Sequence, residues 1–127
     1  MGLRHKAAPA LVAFCFAVGA SAHARDILLG GWLPYHFAPL PMNWFWTLLL
    51  PLDLAVVGLI VLRKVAAALW LGLAIMIADV SVNAYALVGL GFPAFAYSLP
   101  LQAAFLGYLL GAMPFLLRDR VGSVRPE

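Results

Sequence analysis

The chain has 127 residues, a length typical of one domain. Hydrophobic residues make up 65% of it and charged residues 10%, whereas soluble domains carry roughly 45–50% and about 25%. These proportions and the mean hydropathy of +1.00 exclude a soluble domain, a disordered chain and a coiled coil. The net charge is +3, but the basic residues lie at the ends of apolar runs rather than along one stripe, so we expect no nucleic-acid binding.

Four apolar runs follow one another, at residues 7–24, 44–62, 65–90 and 94–117. The last three contain the roughly 20 residues that a helix needs to cross about 30 Å of hydrocarbon. They are apolar on all sides and show no two-residue alternation, which argues against surface helices and membrane strands. The sequence therefore predicts an all-α, integral membrane four-helix bundle that forms a single transmembrane domain within residues 1–120, with the lipid bilayer as its surroundings.

The first run has two interpretations. It follows a basic start, and Ala22-His23-Ala24 has the small-x-small form of a signal-peptidase site, so residues 1–24 fit a cleaved signal peptide. Small residues are also common where membrane helices pack, so the same run fits a retained helix. We favour the retained helix, because three helices would have difficulty covering the polar groups described below.

The positions of Lys and Arg predict the orientation. With a cytoplasmic N-terminus, seven of the eight basic residues face the cytoplasm and only Arg25 faces outward. This is a strong positive-inside bias. It predicts that both termini are cytoplasmic, that residues 25–43 form an outer loop and that residues 121–127 form a cytoplasmic tail. The compact chain, which has no sorting tail, favours the bacterial inner (plasma) membrane.

The outer loop is expected to be irregular and to fold over the mouth of the bundle. It holds Gly30-Gly31 and three prolines, which interrupt helices. It also carries Tyr35 and His36, which would roof any polar pocket below them.

Two acids lie within the apolar runs, Asp53 in the second and Asp79 in the third. Asp53 follows Trp44 by nine residues, about 14 Å of helix, which places it near the middle of the bilayer. Asp79 follows Lys64 by fifteen residues, about 22 Å, which places it in the outer half. A charge at the bilayer centre costs at least about 2.5–3.5 kcal/mol, so a functional role is the default hypothesis for both acids.

Two amides are expected at the same depth as Asp79. Asn83 follows it by four residues and shares its helix face, which Gly72, Met76 and Ala86 extend. Gln102 lies nine residues, about 14 Å, after Pro93 and reaches the same layer.

Two interpretations of these polar residues remain open. One is a pocket for a small solute, cation or proton, formed by the four side chains Asp53, Asp79, Asn83 and Gln102. The other is structural, with interhelical hydrogen bonds worth roughly 0.6 kcal/mol each.

Gly107 and Gly111 form a GxxxG spacing in the fourth run. Such a spacing lets two helix backbones approach closely, either within the chain or in a homodimer. It supports the alternative function of a non-catalytic membrane subunit or scaffold protein, assembled as a homodimer or in a larger membrane complex.

Catalytic and metal-binding motifs are missing from the sequence. It has no Walker loop, GxGxxG, HExxH, GxSxG or CxxC, and Cys15 has no second cysteine to pair with. We therefore expect no enzyme activity, no metal site and no cofactor. The size and number of spans resemble those of the small multidrug transporters, whose first span carries a Glu. Residues 7–24 contain no acidic residue, so we assign the chain to no family.

Overall fold

The structure, a computed structural model, describes residues 3–122, with side chains from Lys6 onward. It consists of four helices, α1 (Leu3–Gly30), α2 (Leu40–Val61), α3 (Val65–Val88) and α4 (Phe95–Gly122). No strand occurs between residues 3 and 122. All four helices are long and apolar enough to cross a membrane. The prediction of an all-helical chain with four candidate membrane spans is therefore confirmed.

The connection between α1 and α2 is shorter than the expected outer loop of residues 25–43. Helix α1 continues through Arg25 and Asp26 to Gly30, and α2 begins at Leu40, so the loop covers residues 31–39. Gly31 adopts a φ of 79° and donates its N–H to the carbonyl of Ile27 at 2.8 Å, which ends α1 in the manner usual for glycine.

Proline positions explain where α2 begins. Pro39 occupies the N-cap of α2, and Pro41 lies in its first turn. Backbone N–H groups in the first turn of a helix have no partner within that helix, so proline costs nothing at these positions. The three loop prolines predicted an irregular segment, but two of them mark a helix start.

Short turns join the remaining helices. Between α2 and α3, Arg63 adopts a φ of 61°, and Lys64 donates its N–H to the carbonyl of Leu59 at 2.8 Å. Between α3 and α4, Gly91 adopts a φ of 73°. Helix α4 includes the first two residues of the expected tail at residues 121–127, and the other five lie outside the described residues.

Contacts divide the chain into two units, and the division falls between Ala68 and Leu69 within α3. In the first unit, α1 and α2 pack against each other. Their buried apolar residues are three, four or seven positions apart, spacings that keep them on one helix face. These residues are Val12, Phe16 and Ala20 in α1 and Trp46, Leu49 and Val56 in α2.

Helix α3 has one buried face, which runs along its whole length. Gly72, Met76, Asp79, Asn83 and Ala86 are all buried, as their spacing predicts. In α4 few side chains are buried, and Leu109 and Met113 are the large apolar ones.

Candidate functional site

Asp53 lies in the interface between α1 and α2. Its side chain is 5% exposed, and its Oδ2 atom lies 2.7 Å from the position that a Cβ atom would take at Gly19. A real Cβ does not approach an oxygen this closely, so the carboxyl group occupies room that exists because residue 19 has no side chain. The predicted intramembrane acid is therefore placed against the backbone of α1.

Pro51 leaves one carbonyl group of α2 without its helical partner. Proline has no N–H, so Pro51 cannot donate to the carbonyl of Thr47, four residues earlier in α2. The Thr47 side chain is buried and donates from Oγ1 to the carbonyl of Asn43 at 2.7 Å. Helix α2 thus presents several polar groups in its buried part, between residues 43 and 53.

The loop of residues 31–39 is fixed to α2 by one side chain, Asn43. Asn43 Oδ1 accepts the N–H of Tyr35 at 3.0 Å, and Nδ2 donates to the carbonyl of Leu33 at 2.9 Å. Asn43 is buried, and Leu33 adopts a φ of 54°, a conformation that few non-glycine residues take. The amide therefore satisfies two backbone groups of the loop and holds it in an otherwise unfavourable path.

Tyr35 connects the loop to α1. Its Oη atom lies 2.8 Å from Asp26 Oδ2 and 2.8 Å from His23 Nδ1. Tyr35 Oη has a single proton, which it donates to Asp26 Oδ2. His23 must then donate from Nδ1 to Tyr35 Oη, and its Nε2 atom carries the lone pair when the ring is neutral.

Aromatic packing fixes the position of this tyrosine. The ring of Tyr35 meets that of Trp46 edge to face, with centroids 5.4 Å apart, and that of Phe37 at 6.3 Å. Trp46 is buried between the helices, so the loop ring is held against the interface of α1 and α2. We call His23, Asp26, Tyr35 and Asn43 the loop network.

The loop network was not predicted from the sequence. Asp26 was expected in the outer loop of residues 25–43, whereas α1 continues to Gly30 and brings Asp26 onto the same helix face as His23, three residues earlier. Tyr35 was expected only as part of a covering loop. Its contacts depend on the path of the loop, which no sequence pattern indicated.

The second unit contains three of the four predicted site residues, and the structure brings them together. Asn83 Nδ2 lies 3.0 Å from Asp79 Oδ1 and 2.8 Å from Gln102 Oε1, and it donates to both. An amide nitrogen has two protons, so each acceptor receives one. Asp79 and Asn83 are 8% and 2% exposed. We call Asp79, Asn83 and Gln102 the amide cluster.

One oxygen of Asp79 remains open. Within the described part of the chain, the hydrogen bond from Asn83 is the one that Asp79 receives, and it ends on Oδ1. Every fully enclosed side-chain nitrogen or oxygen atom of the described residues has a hydrogen-bond partner. It follows that Oδ2 is not fully enclosed.

Other residues that are polar, or for which the sequence suggested a role, lie outside the loop network and the amide cluster. Ser81 is exposed and donates to the carbonyl of Ile77 in its own helix at 2.6 Å. Gly107 and Gly111 are exposed, and a Cβ atom added to either would meet open space. His36 is exposed in the loop. Among residues 3–122, no three His, Cys, Asp or Glu side chains lie close enough to hold a metal ion together.

No family model, no curated protein sequence and no solved structure matches this chain. The geometry described above is therefore the basis for any statement about function.

Proposed function

We propose that this chain is a small multi-pass membrane protein that binds or moves a small solute, a cation or a proton at its intramembrane carboxyl groups. Asp79 carries the main site, Asn83 and Gln102 shape it, and Asp53 provides a second acidic group. The supporting observation is that Asn83 holds one oxygen of Asp79, while the other oxygen accepts no hydrogen bond from the described residues and is not fully enclosed.

The charge balance of α3 and α4 supports this site. A carboxylate inside a membrane costs at least about 2.5–3.5 kcal/mol unless it is neutralised. No Lys or Arg occurs between residues 65 and 117, so these two helices offer no cation of their own at that depth. A proton or a cationic ligand bound at Asp79 Oδ2 would remove this cost.

Flux measurements on the purified chain in liposomes test the proposal. We expect Asp79→Asn to abolish a pH-dependent flux or a cation-binding signal, because the amide keeps the shape and loses the charge. Ser81→Ala is the matched control on α3, since its hydroxyl bonds only within its own helix. Asp53→Asn tests the second acid. Equal signals from the wild-type chain and from the chain with both acids replaced would refute the proposal.

We further propose the orientation in which both termini are cytoplasmic, in a bacterial inner membrane. Arg63 and Lys64 lie in the turn between α2 and α3, and Arg118 and Arg120 lie near the end of α4, where basic residues favour the cytoplasmic side. Reporter fusions after Lys64 and Gly91 test this orientation. A reporter after Lys64 should be active only in the cytoplasm, and one after Gly91 only outside it; the reverse pattern would refute the orientation.

A second candidate function is assembly with another copy of the chain through α4. Its support is that Gly107 and Gly111 are exposed and unobstructed, so a second backbone can approach them. The oligomer mass in mild detergent tests it. We expect a dimer that Gly111→Leu converts to a monomer and that Gly58→Leu, at an equally open glycine of α2, leaves intact. A monomeric wild-type chain would remove this candidate.

A further inference from the structure

His23 of the loop network and Gly19, which Asp53 contacts, lie along the same face of α1. Asp53 Oδ2 is in contact with Gly19, and His23 follows Gly19 by four residues. Positions four apart lie one above the other on a helix, about 6 Å apart along its axis. His23 therefore lies about one helical turn nearer to the loop than Gly19, the residue that Asp53 contacts. A relay between the two side chains requires one water molecule to bridge this gap.

The hydrogen bonds that join the side chains of His23, Tyr35 and Asp26 run in one direction. His23 Nδ1 donates to Tyr35 Oη, and Tyr35 Oη donates to Asp26 Oδ2. One end of this series is a carboxylate near the end of α1, and the other is His23 Nε2, which takes no part in either bond. A proton accepted at Nε2 can therefore leave at Asp26 without any group having to rotate.

We propose that His23, Tyr35 and Asp26 form a proton relay between Asp53 and the loop end of α1. The Asp53 carboxyl group gives its proton, through one water molecule, to His23 Nε2. His23 Nδ1 passes its proton to Tyr35 Oη, and the original Tyr35 proton passes to Asp26 Oδ2. Asp53 ends as a carboxylate, Asp26 as a carboxylic acid and His23 as the tautomer with its proton on Nε2, while Tyr35 is a neutral phenol before and after. The reverse shift carries a proton inward and restores the first tautomer of His23.

The surroundings of the relay suit this role. The side chains of α2 in the polar part of the interface, Asn43 and Thr47, are neutral. Asp26 is the charged group that acts electrostatically on His23, and Arg25 lies beside Asp26 in α1. Cys15 lies one turn beyond Gly19, on the side away from His23. Tyr35 is held by Trp46, which keeps its oxygen between the other two groups. The relay rests on the proposed role of Asp53 in binding a proton.

Infrared spectroscopy after a pH jump tests the relay on the full chain in detergent. The carboxyl band of Asp53 is assigned as the one that Asp53→Asn removes, and its rate of change is then followed. Tyr35→Phe deletes only Oη and keeps the aromatic ring. We expect it to slow the response of Asp53 by roughly 100-fold, the lower end of what positioned acid–base groups contribute. Tyr97→Phe, at an exposed tyrosine, is the control and should leave the rate unchanged.

A second variant separates the relay from a structural role of the loop. Asp26→Asn leaves an oxygen that can accept from Tyr35 but removes the group that takes up the proton, so it should slow Asp53 to a similar extent. If Tyr35 only fastened the loop, its loss would admit water and leave the rate unchanged or faster. That result, or an Asp53 band that does not respond to pH, would overturn the relay.

The outcomes also separate the relay from the transport proposal. A slowed Asp53 band in a chain that shows no flux in liposomes supports the relay and refutes transport. An unchanged Asp53 rate in a chain with a clear flux refutes the relay and leaves transport in place.

Discussion

The carboxyl group of Asp53 lies against Gly19 of the neighbouring helix, where a Cβ atom would come within 2.7 Å of Oδ2. This contact places a polar group of α2 directly on the backbone of α1, in a region where Val12, Phe16 and Val56 are otherwise packed. The size of residue 19 thus controls the position of the acid.

Replacing Gly19 with alanine should displace the Asp53 carboxyl group. Alanine favours a helix over glycine by roughly 0.5–1 kcal/mol, and Gly58→Ala, at an open position of α2, should show this gain. At Gly19 we expect a net loss of about 1 kcal/mol in the free energy of unfolding, because crowding outweighs the gain. Unfolding titrations in mixed detergent measure both variants. Equal stabilisation by the two substitutions would contradict the contact.

Asn43→Ala should release the loop of residues 31–39. The substitution leaves the N–H of Tyr35 and the carbonyl of Leu33 without their partner, and such a loss costs about 1–3 kcal/mol. Amide hydrogen exchange at Tyr35 should therefore become faster than in the wild-type chain. Leu48→Ala, at an exposed position of α2, is the control. Unchanged protection of Tyr35 would show that the loop is held by other contacts.

Asn83 and Gln102 should be energetically coupled. A double-mutant cycle with Asn83→Ala and Gln102→Ala should give a coupling of about 0.6 kcal/mol in the free energy of unfolding, the mean for such bonds in membranes. The matched cycle with Ser81→Ala and Gln102→Ala should give none, since Ser81 bonds within α3. Equal coupling in both cycles would argue against the hydrogen bond between α3 and α4.

Residues 7–24 should be retained in the mature membrane protein. They supply Gly19, which accommodates Asp53, and His23, which binds Tyr35, so a cut after Ala24 would expose both partners. Mass spectrometry of the membrane-extracted chain should find peptides from this segment. Their complete absence, together with a new N-terminus at Arg25, would identify a signal peptide and refute the relay as well.

Hydropathy predicted the number and type of the helices but not where α1 and α2 meet the loop. Arg25 and Asp26 end the apolar run, yet the backbone of α1 continues for another turn until Gly31 ends it. Charge lowers hydropathy without interrupting backbone hydrogen bonds, whereas a left-handed glycine interrupts them. The Gly30-Gly31 pair was the better indicator of the helix end.

The amide cluster and the loop network differ in how far the sequence could predict them. Asp79 and Asn83 are four residues apart on one regular helix, so their contact follows from helix geometry, and counting from Pro93 brings Gln102 to the same depth. The loop network depends on Leu33 in a left-handed conformation and on the path that it creates. Such a conformation is rare for leucine, so no local rule would have brought Tyr35 to His23.

In the proposed orientation, the turn at Arg63 sets the needs of folding against those of membrane insertion at one residue. Its φ of 61° suits glycine, and holding any other side chain there costs about 1–2 kcal/mol. Arg63→Gly would therefore form the turn more easily, and in the proposed orientation it would give up a positive charge that favours the cytoplasmic side for this segment. Arginine at this position lowers the stability of the turn but favours the proposed orientation. The Arg63→Gly variant should therefore be more stable once inserted, and a larger share of it should insert in the opposite orientation.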